Sequence, residues 1–524
     1  MLPGATQRRP DTVTSKPLLL LLCAALPLAA CGSTVQVRGT ATMGADQNGL
    51  SPSGSVSGNG SSGSSTGAVG PTDLTGSGAA GGNPTMAGTT GAAAGTQGSS
   101  TGGGIPVAGP SSPSSLAPTG PGWDRKTVHI GVTTTSDISA VGNSLGVHSV
   151  NPGDLKADAE AMVAYLNGRG GLFGRRIVPE FFDVRTADDS NSIAAEICAH
   201  FTQDVRVIGL LNLTTNGDTP AFDSCMAKAH LPTFAWFTDT GDNAYFQSLH
   251  GFYNNLPFPS WSRFARPFIR RLLAQGYFTP WDATAGAPGK APVKVGILEG
   301  DDPRGRAIGA LLTKELAAVG HPPTDVIYVN SQNDLSSSEL KFRSDGVTHV
   351  MGLELLFLFM QTYESQHYRP RYGINSSNAP SLFLEGTTPS AQLVGSMGVG
   401  TTPTIDVFAP RDPGPAAVPG MRLCDAIYAQ AHVSYPPDQR YAHTNAYGIC
   451  DGMRLLLAAA LHSSSLTGDR IRDGLGAVGG QFPTGLTFSN GLSPLDRGLP
   501  GSARDLKYFS DCQCYRYTSG TYAL

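Results

Sequence analysis

Two short glycine motifs are the candidates for chemistry in this sequence. Gly142-Asn143-Ser144-Leu145-Gly146 fits the G-x-S-x-G pattern of serine hydrolases, which needs a strand directly before the serine and a helix directly after it. Residues 136–141 are polar and typical of a loop, so this context is missing. Residues 58–63 fit a dinucleotide-binding pattern but lie in low-complexity sequence without a flanking strand or helix. We therefore expect no enzyme activity and no cofactor.

The eight cysteines indicate an oxidising compartment. Cys23 and Cys31 lie near the N-terminus, and the other six lie in the C-terminal part of the chain. No CxxC pair and no histidine at ligand spacing occurs, so we expect no zinc or other metal. Closeness in sequence favours two disulfides. These pairs are Cys198 with Cys225 and Cys424 with Cys450, while the pairing of Cys512 and Cys514 is left open.

The N-terminus is typical of an export signal. Arg8, Arg9 and Lys16 precede an apolar run at residues 18–30 that is shorter than the roughly 20 residues of a membrane-spanning helix. Leu28-Ala29-Ala30-Cys31 resembles the lipobox of bacterial lipoproteins. This resemblance implies a signal peptide at residues 1–30, lipidation of Cys31 (palmitate among its acyl chains) and an extracytoplasmic protein anchored to the cell membrane. The alternative is an ordinary secretory peptide with an incidental cysteine.

Residues 31–122 consist mainly of Gly, Ser, Thr, Ala and Pro. Such a segment cannot bury enough apolar surface to offset its ordering entropy, so we expect a disordered linker. The formal net charge is −4, and no basic block stands out. A nucleic-acid partner is therefore not expected.

The folded part alternates between strand and helix patterns. Strands are predicted at residues 127–132, 176–183, 205–211 and 232–237, with helices from Asn151-Pro152 and at 192–202 and 220–229. A second series has helices at 264–276, 306–319, 336–343 and 355–363 and strands at 293–298, 325–329, 349–353 and 381–384. Two such series predict two parallel sheets covered by helices. Ligands should bind beyond the carboxyl ends of the strands.

The order of several motifs resembles a known family. Five parts of the sequence are similar to the type I periplasmic binding proteins. They are AMVAYLNGRGGLFGRRI at 161–177, Asp183, VRVIG at 205–209, LEGDDPRG at 298–305 and YGICDG at 447–452. These are the leucine/isoleucine/valine-binding type, which serve branched-chain amino acid ABC transporters. The similarity covers nearly all of residues 123–524.

This resemblance implies an α/β fold of two Rossmann-like lobes, in which parallel sheets are flanked by helices. A three-crossover hinge joins the lobes, which close over a ligand like a venus flytrap. The crossovers are expected near Leu256, Phe408 and Gln481. The first lobe would then contain residues 123–256 and 408–480, and the second lobe residues 257–407 and 481–524.

The resemblance also implies ligand contacts. A ligand carboxylate would meet the loop of Asn212, Leu213 and Thr214, together with Thr238 and the backbone near Trp236, and an ammonium would meet Glu385. The family usually has tyrosines where this sequence has Arg304 and Glu354, and a serine where it has Leu213. These departures favour a ligand other than a simple branched-chain amino acid, and Arg304 is a candidate partner for an anionic group.

Structural interpretations of these residues stay open. Asn212 and Thr214 could instead cap the next helix. Arg304 could form an ion pair, and Trp236 could pack in the core. Two functions remain for the whole chain. One is capture of a small polar ligand, such as an amino acid, amide or organic acid, for an ABC permease. The alternative is a surface ligand sensor or scaffold with the same fold and no transport role.

Overall fold

The structure is a computed structural model of the 524-residue chain. It describes residues 116–144, 151–214, 218–236, 241–330, 332–352, 357–384, 388–408, 414–436, 439–480 and 482–524. The predicted signal peptide, Cys31, Thr238, Glu354 and Glu385 lie outside these residues. Within the described ranges, we find no helix with the length and apolar character needed to cross a membrane.

The first sheet has five parallel strands in the order β2-β1-β3-β4-β5. They are β1 (Thr127–Thr134), β2 (Arg176–Asp183), β3 (Leu210–Asn212), β4 (Thr233–Ala235) and β5 (Tyr253–Asn255). Strand β2 pairs with one edge of β1, and β3 pairs with the opposite edge of β1. A sheet with this order opens a crevice between the carboxyl ends of β1 and β3.

The second sheet follows the same plan and adds antiparallel strands. A two-stranded hairpin of β6 (Trp281–Asp282) and β7 (Ala287–Pro288) precedes it. Its strands are β8 (Val295–Gly300), β9 (Asp325–Val329), β10 (His349–Gly352), β11 (Arg371–Asn375), β12 (Met397–Gly400), β13 (Ser502–Phe509), β14 (Cys514–Tyr517) and β15 (Tyr522–Ala523). Their order is β14-β13-β12-β11-β10-β8-β9, with β15 paired to β13. The parallel part therefore has its own switch point between β8 and β10.

Fifteen helices are found in the described residues. They are α1 (Ile138–Ser144), α2 (Leu155–Asn167), α3 (Ser190–Ala199), α4 (Pro220–Lys228), α5 (Asn243–Ser248), α6 (Trp261–Ala274), α7 (Pro303–Ala318), α8 (Gln332–Ser344), α9 (Phe357–Ser365), α10 (Pro380–Phe383), α11 (Ser390–Leu393), α12 (Pro403–Asp406), α13 (Met421–Gln430), α14 (Arg440–Leu461) and α15 (Gly468–Val478). Helices α2, α13 and α14 pack together on the first sheet, and α6, α7 and α8 pack on the second. The predicted two-lobed α/β class is confirmed.

Helix α2 shows how local sequence sets these elements. Its buried face includes Leu155, Met162 and Leu166, at the helical spacing that the sequence predicts. The predicted Asn151 cap is wrong, because the side chain of Asp154 accepts the hydrogen bond from the Ala157 amide. The helix therefore begins at Leu155, several residues later than predicted.

Three passages of the chain between the two sheets run side by side. The backbone of Asn255 joins the first and third passages, since its carbonyl accepts the Leu499 amide and its amide donates to the Arg497 carbonyl, both at 2.8 Å. The Thr402 hydroxyl of the second passage donates to the Pro257 carbonyl at 2.6 Å. Ser260 donates to the buried carboxylate of Asp496 at 2.5 Å. The three crossovers thus form one hydrogen-bonded hinge.

One predicted strand is wrong, and several strands were not predicted. Residues 381–384 belong mainly to α10, whereas the strand there is β11. Asn375 ends β11 and its side chain accepts from the Ser377 amide, so the chain turns before Pro380 opens the helix. Strands β5, β12 and β13–β15 were missed because they are short, glycine-rich or outside the alternating pattern.

Three disulfides occur in the described part of the chain. Cys198–Cys225 joins α3 to α4, and Cys424–Cys450 joins α13 to α14, so both pairings predicted from sequence proximity are confirmed. Cys512 and Cys514, whose pairing the sequence left open, are joined across one residue in the turn after β13.

Candidate functional site

The switch point of the first sheet carries buried polar side chains. Thr133 is the buried last-but-one residue of β1, and its hydroxyl donates to Asn212 Oδ1 at 2.8 Å. The same hydroxyl accepts the Leu213 amide at 2.8 Å. The carboxyl ends of β1 and β3 are thereby joined at the place where the fold predicts a ligand crevice.

Two buried aspartates extend this polar network. Asp218 accepts from Asn212 Nδ2 at 3.3 Å and from the Tyr253 hydroxyl of β5 at 3.2 Å. Asp223 lies in the first turn of α4 and accepts a hydrogen bond from the Tyr245 hydroxyl of α5. Asp218 and Asp223 are 7% and 0% exposed, so both carboxyl groups are withdrawn from water.

The second sheet contributes a positive charge to the same network. Arg304 lies in the first turn of α7, shortly after β8, where the Asp302 side chain caps the helix. Its guanidinium lies 4.0 Å from Asp223 Oδ2 and 5.7 Å from the centre of the Tyr245 ring. Arg304 is 7% exposed, so side chains of both lobes meet in a buried ionic cluster.

Burial controls the protonation of this cluster. Desolvation raises the pKa of Asp218 well above its ordinary value, and the neighbouring Asp223 raises it further. Desolvation also raises the pKa of Asp223, while the guanidinium of Arg304 opposes the shift. The two carboxyl groups therefore hold a proton more tightly than exposed aspartates do, and their titrations are linked. Perturbed acids in a crevice are typical of functional sites.

The described residues that the sequence predicts for the site divide between the polar cluster and the core of the first lobe. Asn212 and Arg304 join the polar cluster, whereas Leu213 packs in the core of the first lobe. Thr214 is buried beside them but does not cap α4, since the Thr219 side chain does so. Trp236 is 1% exposed and packs in the first-lobe core, which matches its structural interpretation.

The other motifs lie elsewhere. Gly142, Asn143 and Ser144 end helix α1, whereas a hydrolase serine follows a strand directly; Leu145 and Gly146 lie outside the described residues. In the described ranges, Cys424, Cys450 and Asp451 form the group with metal-ligand spacing. Its cysteines are joined as a disulfide, so their sulfurs do not offer thiolate ligands.

Sequence reasoning missed Asp218, Asp223, Tyr245 and Tyr253. Asp223 carried a usable signal, because Met226 and Ala227 follow it at helical spacing on the buried face of α4. An acid on an apolar helix face must find a buried partner. Asp218 and the two tyrosines lie in loop or short elements without such a periodic signal.

Comparisons with known proteins bear on the fold. No protein-family model matches the sequence, and no curated protein matches it. Among solved structures, a fatty acid ABC transporter substrate-binding protein from Thermomonospora curvata is 14% identical, with a TM-score of 0.54 over 77% of this chain and 94% of that chain. A branched-chain amino acid ABC transporter protein from Thermus thermophilus with bound valine is 13% identical, with a TM-score of 0.53 over 76% and 97%.

A third similar structure is a solute-binding protein of an ABC transporter from Rhodopseudomonas palustris HaA2, in complex with p-hydroxybenzoic acid. It is 13% identical, with a TM-score of 0.53 over 76% of this chain and 97% of that chain. At sequence identities this low, the similarity to these structures establishes the fold of the chain and nothing further. The chain has the fold of the type I periplasmic binding proteins, with two α/β lobes joined by three crossovers.

Proposed function

We propose that this protein is an extracytoplasmic solute-binding lipoprotein, which captures a small polar ligand between its lobes and delivers it to an ABC permease. The observation that carries this proposal is the buried cluster of Asn212, Asp218, Asp223 and Arg304 at the switch point of the first sheet. Polar groups from both lobes converge there, as ligand capture by lobe closure requires. The protein binds its ligand without converting it.

The ligand is a small amino acid, amide or organic acid. The similar structures named above are described with valine and p-hydroxybenzoic acid, which share a carboxyl group on different apolar bodies. Arg304 already faces Asp223, so its charge does not by itself select an anion. Thr133 and Asn212 bond to each other, and Asn212 also bonds to Asp218, so a ligand carboxylate or amide would reach them by exchanging these hydrogen bonds.

The remaining assignments also belong to this proposal. Residues 1–30 are removed, Cys31 takes the lipid, and residues 31–122 tether the lobes to the membrane. The three disulfides support export. The packing of Leu486 and Leu492 in the first-lobe core favours a third crossover at the passage that contains Asp496 and Leu499, instead of near Gln481.

The test is a thermal-shift screen of the full chain against amino acids, amides and organic acids. A ligand that binds the folded protein raises the melting temperature by mass action. We expect a shift with one ligand class, its loss in Thr133→Val and Asp218→Asn, and recovery of the ligand unchanged. Ser365→Ala, at an exposed serine of α9, is the matched control. A screen without any shift would favour the sensor or scaffold role.

A further inference from the structure

A cavity of about 790 Å³ lies on the first lobe, beside the polar cluster but on the other side of β1. Its walls come from the end of β1, the end of β2, the start of α2 and the segment before α14. Cavities that hold small molecules measure roughly 300–1,000 Å³. Among the residues that the structure describes, those that line the cavity lie in the predicted first lobe.

Tyr435 fixes two of these walls to each other. Its hydroxyl donates to the buried Asp158 Oδ1 at 2.9 Å and accepts the Asp154 amide at 3.3 Å. Gly153 lies against the ring with a φ of +77°, and a Cβ there would come within 2.8 Å of it. Asn445 Nδ2 donates to the Pro152 carbonyl at 3.0 Å. The cavity is therefore built by specific contacts between distant parts of the chain.

Charged side chains on the walls have protein partners. Asp183 accepts from the Thr134 and Ser136 hydroxyls at 2.9 and 2.6 Å. Asp154 accepts from an amide of α2, and Lys156 lies 4.0 Å from Glu160. The partners of Asp183 and Asp154 are neutral donors, so each carboxylate keeps acceptor sites to which ligand hydroxyls can donate.

The other lining groups suit a neutral, hydroxyl-rich molecule. Ser139, Asn151, Ser434 and Gln439 bring hydroxyl and amide groups that both donate and accept hydrogen bonds. The rings of Phe181 and Tyr435 add apolar faces. Sugars combine many hydroxyls with apolar C–H faces and match such a lining. We propose that this cavity is a second binding site, for a short neutral oligosaccharide, separate from the cleft between the lobes.

The proposal is tested by isothermal titration of the full chain with maltotriose, cellotriose and N,N′,N″-triacetylchitotriose. At least one trisaccharide should bind. Ser434→Trp places a large ring in the cavity from an exposed position and should weaken binding by about tenfold or more. Ser365→Trp, at an exposed serine of the second lobe, is the control and should leave binding unchanged.

The outcomes separate this site from the cleft. Binding that survives in Thr133→Val and is lost in Ser434→Trp supports the cavity, whatever the amino acid screen shows. No binding of any trisaccharide, or equal binding by wild type and Ser434→Trp, overturns it. Tighter binding of glucose 6-phosphate than of the trisaccharides would overturn the assignment of a neutral ligand.

Discussion

The guanidinium of Arg304 in the second lobe lies 4.0 Å from the buried carboxylate of Asp223 in the first lobe. This contact brings the switch points of the two sheets together. A residue that the family resemblance assigns to the ligand therefore also holds the lobes to each other. The contact joins a helix of the second sheet to a helix of the first sheet across the interior.

Removing one partner of this pair should be costly. Arg304→Gln leaves a buried acid without its cation, and such changes destabilise proteins by about 3–5 kcal/mol. We expect a lower free energy of unfolding in urea and a larger radius of gyration by X-ray scattering. The double variant Arg304→Gln/Asp223→Asn should lose less stability than the sum of the single variants. Additive losses would show that the two residues do not interact.

Asp158 should make stability depend on pH. Burial raises the pKa of its carboxyl to about 7, and the Tyr435 hydroxyl only partly opposes this shift. The folded chain then binds the proton more tightly than the unfolded chain, so the contribution is full below about pH 4 and lost as pH rises towards 7. Each pKa unit corresponds to about 1.4 kcal/mol.

Urea unfolding at pH 5 and pH 8 measures this effect. Asp158→Asn should reduce the fall in unfolding free energy between the two pH values, while Asp204→Asn, at an exposed aspartate, should not. An unchanged pH dependence in Asp158→Asn would assign the effect to other groups.

The disulfides should differ in their contributions to stability. Cys424–Cys450 closes a sequence separation of 26 residues, whereas Cys512–Cys514 closes one of 2. A longer closed loop removes more entropy from the unfolded chain. Replacing Cys424 and Cys450 by alanine should cost about 2–4 kcal/mol in urea unfolding. Replacing Cys512 and Cys514 should cost less, and the reverse order would contradict this account.

Two helix glycines provide a packing test. A Cβ on Gly448 of α14 would lie 2.9 Å from the buried Trp236 ring, whereas a Cβ on Gly476 of α15 meets only Pro494 at 3.5 Å. Gly448→Ala should destabilise the protein by about 1–3 kcal/mol through overpacking. Gly476→Ala should be neutral or stabilising by up to about 1 kcal/mol through helix propensity. Equal melting temperatures for the two variants would show that the packing around the Trp236 ring can accept an added methyl group.

Much of the fold was predictable because local signals agree with it. Strands β2 and β9 have the predicted bounds, and α2, α4 and α7 follow apolar periodicity. Strands β3 and β4 are three residues each, shorter than predicted, because their flanking apolar residues pack outside the ladder. Strand β13 was missed, since it pairs antiparallel with β12 from about a hundred positions away and has no local turn signal.

The site was less predictable than the fold. Sequence order placed Asn212 and Arg304 at strand ends, and the structure joins both to one cluster. Their protein partners could not be foreseen, because Asp218, Asp223 and Tyr245 reach them only through the packing of α4 and α5. The order of strands along the chain predicts which residues lie near a site. It does not predict which charged residues pair there, because that depends on tertiary contacts.

The interleaved course of the two lobes bears on the order in which the chain can fold. The first lobe lacks α14 until residue 461 has been synthesised, and the second sheet lacks β13 until residue 509. Neither half can therefore complete its interior on a ribosome before nearly the whole polypeptide has emerged. Both lobes are completed by late segments of the sequence, so neither is expected to fold on its own ahead of the other.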